Sequence, residues 1–228
     1  MEMGIVDEKK ESTLRFSDAY FFYPGQDVFV LGCGGIGSWV ALLLGRQDCN
    51  LHIYDMDTVE EVNIAGQFYG QKDVRLNKTT ATARNVNAFC NLEKPIEEYS
   101  KFEEYSMIGP IVFSCFDNMK ARKLAFERWK EQEDRELFID GRMALVTGEV
   151  YAVIKGREKE YEDTLFDDSE VEDAACSLKA TTHSGTLIAS LMVSIYTNFI
   201  GLRKDPFLPL SIPFKSTYNI PLMSIECS

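Results

Sequence analysis

The residues with the clearest chemical potential are the glycines of a short stretch, Gly32-Cys-Gly34-Gly35-Ile-Gly37-Ser38. Gly32 allows a tight turn, Gly34 lets the backbone approach a phosphate without a Cβ in the way, and Gly37 lets a helix pack close to a strand. The free N–H groups at the start of that helix favour a bound anion, and Ser38 adds a hydroxyl there. The stretch therefore predicts nucleotide binding, and the alternative is a glycine-rich turn without a ligand.

This interpretation requires a strand before the glycines and a helix after them. Residues 28–31 are apolar and partly β-branched, which predicts a buried strand, and residues 39–45 predict a helix. A second predicted strand, 50–54, ends in Asp55-Met-Asp57, where an acid can accept hydrogen bonds from ribose hydroxyls. These features alone do not separate NAD, FAD, S-adenosylmethionine and ATP as the ligand.

Further residues narrow the choice among these four ligands. Asn63 and Gln67 follow the acidic pair, Lys78 stands near the start of a predicted helix, and Asp117-Asn118 follows a predicted buried strand. As a linked set, these residues resemble the ThiF/MoeB/HesA family, the bacterial relatives of ubiquitin-activating enzymes. The resemblance covers residues 15–142 well and continues more weakly to the C-terminus.

The resemblance implies an adenylation reaction. The C-terminal carboxylate of a small ubiquitin-like or sulfur-carrier protein attacks the α-phosphate of ATP, which gives an acyl-adenylate and pyrophosphate. Such phosphoryl chemistry needs positioning and charge neutralisation more than covalent help from the enzyme. The resemblance also implies Mg²⁺ as a cofactor and a homodimer.

It further implies a role for each residue. The phosphates are assigned to the glycine stretch, and the Mg²⁺ ion to Asp117. The remaining nucleotide contacts are assigned to Asp55, Asp57, Asn63, Gln67, Lys78 and Asn118.

Lys78 and Asp117 each have an alternative role. Lys78 is either the cation for the phosphates or a solvated lysine, although an N-terminal turn is a poor place for a cation without a bound anion. Asp117 is either a Mg²⁺ ligand, since hard oxygen ligands suit Mg²⁺, or the N-cap of the following helix.

Two further residues are implied catalytic candidates. Arg15 is either the arginine that reaches into the partner subunit's ATP site or a surface residue. Cys176 is either a nucleophile, with Lys179 or His183 lowering its pKa, or a buried cysteine at a helix start. At the end of a predicted strand, Asp140 and Arg142 form either an ion pair or a contact for the incoming protein tail.

One position departs from the family. The family sequence Asn-x-x-Arg-Gln is replaced here by a sequence with Gly66 at the arginine position. Lys72 or Arg75, or Arg15 of a partner subunit, can supply the missing charge. Otherwise adenylation is slow or lost. A second hypothesis is a non-catalytic subunit that binds nucleotide or a partner. A third hypothesis, an NAD-dependent oxidoreductase, rests only on the glycines and Asp55.

Composition and charge argue against several classes of partner and location. The chain has 228 residues and a net charge of -12, which argues against nucleic acid as a partner. The N-terminus does not resemble a signal peptide, and the longest apolar stretch, 186–200, is too short and polar to predict a membrane span. Six cysteines without a Cys-x-x-Cys pair predict reduced thiols, a cytoplasmic location and no zinc site of the family type. Cys33, Cys49, Cys90 and Cys115 are expected to be structural, and His52 to be packed within a strand.

The order of elements predicts an α/β fold with a Rossmann-like, mostly parallel sheet, helices on both faces and an antiparallel C-terminal extension. We expect one adenylation domain over 1–228, a flexible segment at 1–14 and an exposed crossover loop at 157–177. The other predicted helices are 15–23, 74–89, 119–134 and 177–202. The other predicted strands are 94–97, 110–114 and 137–140, followed by a strand or a hairpin at 142–155 and one or two strands within 211–225.

Overall fold

The structure is a computed structural model that describes residues 13, 15–144, 147–166 and 181–228. Two predictions fall largely or wholly outside these residues. The flexible N-terminus at 1–14 is described only at Thr13, and the candidate nucleophile Cys176 is not among the described residues.

Eight strands form one sheet in the order β3-β2-β1-β4-β5-β6-β7-β8. Strands β1 to β5 are parallel to one another, and β6, β7 and β8 extend the sheet in antiparallel fashion. This confirms the predicted fold class. The strands are β1 (Asp27–Leu31), β2 (Asn50–Tyr54), β3 (Glu97–Tyr99), β4 (Ile111–Ser114), β5 (Leu137–Ala144), β6 (Thr147–Ile154), β7 (Lys215–Asn219) and β8 (Ser224–Cys227).

The register of the parallel strands aligns their carboxyl ends. Leu31 at the end of β1 pairs with Tyr54 of β2 and with Ser114 of β4, and Ser114 pairs with Asp140 of β5. The residues that follow β1, β2 and β4 therefore leave the sheet at one edge. In open α/β sheets this edge is where ligands bind.

Helices cover both faces of the sheet. The helices α1, α2 and α5 pack on one face, around a core that includes Val40, Val86 and Ile188, and α3 and α4 pack on the other, around Phe126, Trp129 and Tyr161. The helices are α1 (Gly37–Gly45), α2 (Lys78–Phe89), α3 (Met119–Lys130), α4 (Glu158–Glu162) and α5 (Thr182–Lys204).

By length and composition, α5 is the one helix in the described residues that is apolar enough to cross a membrane. Half of its apolar window is nevertheless buried inside the protein, where Gly141 and Gly148 of the sheet lie against its Met192 and Ile188 side chains. A core helix of a globular protein has these properties.

Several predicted elements differ from the structure. Residues 15–23 form turns instead of a helix, with Phe16 packed edge-on against Phe22. Helix α2 begins at Lys78 instead of residue 74, because Arg75 has a positive φ of 75° and donates its N–H to the Val59 carbonyl.

The acidic segment after residue 157 also differs, since it contains α4 instead of only an exposed loop. Burial of Tyr161 against Phe126 and Phe138 stabilises that short helix.

Candidate nucleotide-binding site

The glycine loop joins β1 to α1 at the carboxyl edge of the sheet. Gly32 has a φ of 93°, and a Cβ there would lie 2.9 Å from the Cys115 carbonyl oxygen. A Cβ at Gly37 would lie 1.8 Å from the Gly32 carbonyl oxygen. Packing therefore requires glycine at both positions, whereas no atom lies within 4 Å of a Cβ added at Gly34. The loop is tight on its inner side and open at Gly34.

The open part of the loop has two backbone donors whose acceptors are not among the described residues. Among the described residues, the N–H groups of Gly34 and Gly35 donate to no carbonyl or side chain. Ser38, by contrast, is buried, and its hydroxyl donates to the Gly34 carbonyl at 2.7 Å and accepts from the Phe68 N–H at 3.0 Å. The Ser38 hydroxyl thus holds the loop together, and its predicted contact with a phosphate stays a prediction.

Asp55 follows β2 and is tied to the glycine loop. One carboxylate oxygen accepts the Cys33 N–H at 2.7 Å, and the other accepts the Asp57 N–H at 2.8 Å. Burial raises the pKa of Asp55, and the charge of Lys78 and the two backbone hydrogen bonds oppose this only in part. Each carboxylate oxygen still has capacity for a further donor, such as a ribose hydroxyl.

Lys78 stands at the first position of α2 and points at the acidic pair. Its Nζ lies 2.8 Å from Asp57 Oδ2 in a half-buried ion pair. Burial disfavours the charge, but the hydrogen bond to Asp57 and the charges of Asp55, Asp57 and Asp117 outweigh it, so the pKa of Lys78 is raised. Lys78 is therefore a firmly protonated cation with two N–H donors left for a ligand. This is not the solvated lysine of the alternative interpretation.

Asp117 and its neighbour Asn118 have different roles. Asn118 is the N-cap of α3, since its Oδ1 accepts the Ala121 N–H at 2.9 Å. Its Nδ2 also donates to Asp117 Oδ1 at 3.3 Å. The capping role predicted as an alternative for Asp117 therefore belongs to Asn118, and the exposed Asp117 carboxylate faces the same edge as Lys78.

The turn at residues 63–67 lies beside the glycine loop. Asn63 Oδ1 accepts the Glu60 N–H at 2.8 Å, and Gln67 Oε1 is buried with no hydrogen-bond partner in the described part of the chain. Gly66 is buried, and its carbonyl accepts from the Trp39 indole at 3.3 Å. The backbone of Gly66 is thus fixed, and it presents no charged group.

The first turn of α5 covers this turn and the glycine loop. Thr182 donates to the Ala65 carbonyl, and a Cβ at Gly185 would lie 2.2 Å from the Gly35 carbonyl oxygen. Sequence reasoning missed Trp39, Thr182 and Gly185. A glycine inside an apolar helical pattern was the one available signal of a close approach.

Other candidates lie apart from these groups. Arg15, Lys72 and Arg75 are exposed, and no contact in the described residues places their guanidinium or ammonium groups at the loop. His183 is exposed at the start of α5, beside Thr181. These residues are not brought together with Lys78.

Three of the cysteines expected to be structural are buried, namely Cys33, Cys49 and Cys115. Burial raises the pKa of each of these thiols, which makes them poor nucleophiles. Cys90 is partly buried. His52 is stacked on Phe29 within the sheet, as expected of a packed residue.

The residues at the end of β5 form a buried ion-pair network. Asp140 is fully buried and accepts from Arg122, from Arg142 Nε at 2.7 Å and from the Tyr161 hydroxyl at 2.9 Å. Arg142 also donates to Thr164. Of the two alternatives predicted for Asp140 and Arg142, the structure therefore shows the ion pair. Through Thr164, Arg142 also attaches the segment after α4 to the sheet.

This architecture defines a Rossmann-like α/β protein whose glycine loop opens at the carboxyl edge of a mostly parallel sheet. The sequence profile of the ThiF family matches residues 25–219, and the chain belongs to this family.

Curated relatives and solved structures agree with this membership. The chain is 30% identical over 149 residues to ubiquitin-like modifier-activating enzyme 5 of Oryza sativa subsp. japonica, covering 57% of this chain and 32% of that protein. It is 29% identical over 143 residues to SUMO-activating enzyme subunit uba-2 of Caenorhabditis elegans, covering 59% of this chain and 24% of that protein. The chain therefore spans at most about a third of the length of these relatives.

Two solved structures show the same fold. The structure of E. coli MccB with AMPCPP and MccA has a TM-score of 0.71 at 16% identity and covers 97% of this chain and 72% of that chain. The structure of PaaA has a TM-score of 0.64 at 18% identity, and the match covers 89% of this chain and 63% of that chain. At these identities the similarity extends to the fold alone.

Proposed function

We propose that this protein is an ATP-dependent adenylyltransferase that activates the C-terminal carboxylate of a small ubiquitin-like or sulfur-carrier protein. The observation that carries the proposal is the position of one protonated lysine among three carboxylates, beside a loop whose Gly34 and Gly35 N–H groups have no acceptor among the described residues. Asp55, Asp57 and Asp117 all lie within electrostatic range of Lys78. A dehydrogenase has no need of this lysine or of Asp117.

ATP would bind across the carboxyl edge of the sheet. The free N–H groups of Gly34 and Gly35 suit phosphate oxygens, and the start of α1 adds the favourable end of its dipole. Asp55 suits the ribose hydroxyls. Gln67 Oε1 is buried without a donor in the part of the chain that the structure describes, so a ligand or a water molecule can supply one.

The residues present fit Mg²⁺ held in part by its substrate. Within the described residues, no group of three or more histidine, cysteine, aspartate or glutamate side chains can enclose a metal. Mg²⁺ retains several waters and is often held by one or two carboxylates together with phosphates, so the exposed Asp117 carboxylate is a sufficient protein ligand. When bound, the ion would neutralise phosphate charge.

The reaction is an in-line displacement at phosphorus. A carboxylate oxygen of the partner protein forms a bond to the α-phosphorus, the bond from that phosphorus to the bridging oxygen breaks, and pyrophosphate leaves with the electron pair. Lys78 keeps two N–H donors for the phosphates while the third remains on Asp57. A fixed cation of this kind lowers the barrier by stabilising charge that shifts onto the leaving group.

This mechanism lacks one cation at Gly66, because the arginine that the family has at this position would supply a second positive charge for the phosphates. We propose that Arg15 of a partner subunit in a homodimer, or Lys72 or Arg75 of the same chain, supplies it. A second candidate function is a non-catalytic subunit that binds nucleotide or a partner protein. The uncharged, buried Gly66 favours that alternative.

The names of the relatives support the choice of protein substrate. One is a ubiquitin-like modifier-activating enzyme and another is a SUMO-activating enzyme subunit. ATP–pyrophosphate exchange with purified candidate partner proteins tests the proposal, because exchange requires formation and reversal of the acyl-adenylate. A nucleotide-binding subunit without chemistry would bind ATP and give no exchange.

A further inference from the structure

Tyr69 is a buried tyrosine to which the proposed chemistry assigns no role. Its hydroxyl donates to the Cys33 carbonyl oxygen at 2.5 Å and lies 3.0 Å from Thr82 Oγ1 on α2. The same hydroxyl is 3.4 Å from the Lys78 carbonyl oxygen. Tyr69 therefore connects the glycine loop with the first turns of the helix that carries the lysine.

The hydrogen bond fixes the direction of one peptide group. The Cys33 carbonyl and the Gly34 N–H belong to the same planar trans peptide, so they point in opposite directions. With the carbonyl held by Tyr69, the Gly34 N–H points away from Tyr69, and no carbonyl among the described residues accepts it. Asp55 holds Cys33 from its other side, through the Cys33 N–H at 2.7 Å.

This peptide group needs a restraint from outside the loop. A peptide flips by rotation about ψ of one residue and φ of the next, and glycine at position 34 adopts positive φ without a steric penalty. A flipped peptide would present a carbonyl oxygen in place of the N–H, and that oxygen would repel a phosphate. Glycine at this position thus permits both close approach and the wrong orientation.

We propose that Tyr69 is a positioning residue that holds the Cys33–Gly34 peptide with its N–H toward the phosphates of ATP. The inference rests on the proposed function for the identity of the ligand. Thr82 completes the arrangement, since its hydroxyl can donate to the Tyr69 oxygen and leave the single Tyr69 proton for Cys33. Tyr69 acts through the backbone and does not touch the nucleotide.

The test is equilibrium binding of Mg-ATP and of adenosine to wild type and to Tyr69→Phe, measured by titration calorimetry. The substitution removes only the hydroxyl. Loss of one hydrogen bond to a charged group lowers the preference for ATP over adenosine by roughly tenfold or more, while adenosine affinity stays within about twofold. Tyr196→Phe is the control, because it removes a buried hydroxyl that lies 3.5 Å from the Cys49 sulfur, outside the glycine loop.

The outcomes separate this inference from the proposed function. If Tyr69→Phe loses the ATP preference while the wild type gives no pyrophosphate exchange, the positioning role stands and the adenylation proposal fails. If the preference is unchanged in Tyr69→Phe, or if affinity for both ligands falls equally, the positioning role is overturned whatever the exchange assay shows. Should Tyr69→Phe not fold, Thr82→Val is expected to lower the preference by about threefold, and no change there would overturn the role.

Discussion

Lys78 Nζ lies 2.8 Å from Asp57 Oδ2, so the lysine of the candidate site is held by an acid that follows the neighbouring strand. Asp57 follows β2 and Lys78 begins α2, and their backbones also meet, since the Lys78 N–H donates to the Asp57 carbonyl at 2.9 Å. The pair fixes both the protonation state and the position of the lysine. Its electrostatics give the first prediction.

Asp57→Asn is expected to move the alkaline limb of the pH–rate profile for exchange to lower pH. The pKa of Lys78 is raised chiefly by Asp57 against the effect of burial, so removal of that carboxylate lowers it. Activity that requires the charged lysine is present below its pKa and lost as pH rises through it. Glu103→Gln, which removes the acid of the exposed Lys101–Glu103 pair, is the control and leaves the limb in place. An alkaline limb that stays fixed in Asp57→Asn would show that Lys78 does not set it.

Gly185→Ala is expected to lower the free energy of unfolding by about 1–3 kcal/mol, the usual range for overpacking. A Cβ there would lie 2.2 Å from the Gly35 carbonyl oxygen, and backbone on both sides limits relaxation. Because the displaced group is the glycine loop, ATP affinity falls as well. Urea unfolding and ATP titration measure the two effects. Gly70→Ala, whose Cβ would meet no atom closer than 3.7 Å, is the control, and equal behaviour of the two variants would contradict the close contact.

Asp140→Asn is expected to destabilise the fold by about 3–5 kcal/mol. Asp140 is fully buried and neutralises Arg122 and Arg142, so the uncharged amide leaves two guanidinium groups without a buried counter-charge. Chemical denaturation measures the loss. Asp163→Asn, at an exposed pair with Lys159, is the comparison and gives no measurable change. A small effect at Asp140 would mean that water reaches the network.

Lys215→Met is expected to reduce stability at neutral pH by roughly 0.5–1 kcal/mol, a value discounted for solvent screening. Burial raises the pKa of Glu149, but the hydrogen bonds from Lys215 and Tyr151 outweigh it, so the folded pKa is lowered. A lowered carboxyl pKa contributes stability that is present above the unfolded value and lost as pH falls through the folded value. The difference between wild type and variant therefore shrinks at acidic pH. If the difference in stability between wild type and Lys215→Met were constant with pH, packing and not the charge of Glu149 would explain it.

The sequence predicted the parts of the site that local patterns encode. The strand–glycine–helix unit, Asp55 and Lys78 follow from spacing and from the resemblance, and the structure brings Lys78, Asp57 and Asp117 to one edge. Their roles toward ATP stay predictions. Strand order β3-β2-β1-β4-β5 agrees with the Rossmann-like expectation, because right-handed crossovers leave few alternatives.

Contacts between residues far apart in the chain could not be predicted from local sequence patterns. Tyr69 and Gly185 reach the glycine loop from elements 36 and more than 100 residues away, and no local periodicity records such an approach. The start of α2 was also mispredicted, since it depends on the pairing of Thr58 with Asn77 and on the positive φ at Arg75. Tertiary context overrides helix propensity at such positions.

ATP–pyrophosphate exchange decides whether this site adenylates a carboxylate. Wild type, Lys78→Ala and Asp117→Ala are compared with and without candidate ubiquitin-like or sulfur-carrier proteins, with Lys101→Ala as an exposed-lysine control. We expect exchange that depends on a partner protein and falls by about 100-fold or more in each site variant, since each removes a group that stabilises developing charge. A folded wild-type protein that binds ATP and gives no exchange with any partner would contradict the proposal and favour a nucleotide-binding subunit without chemistry.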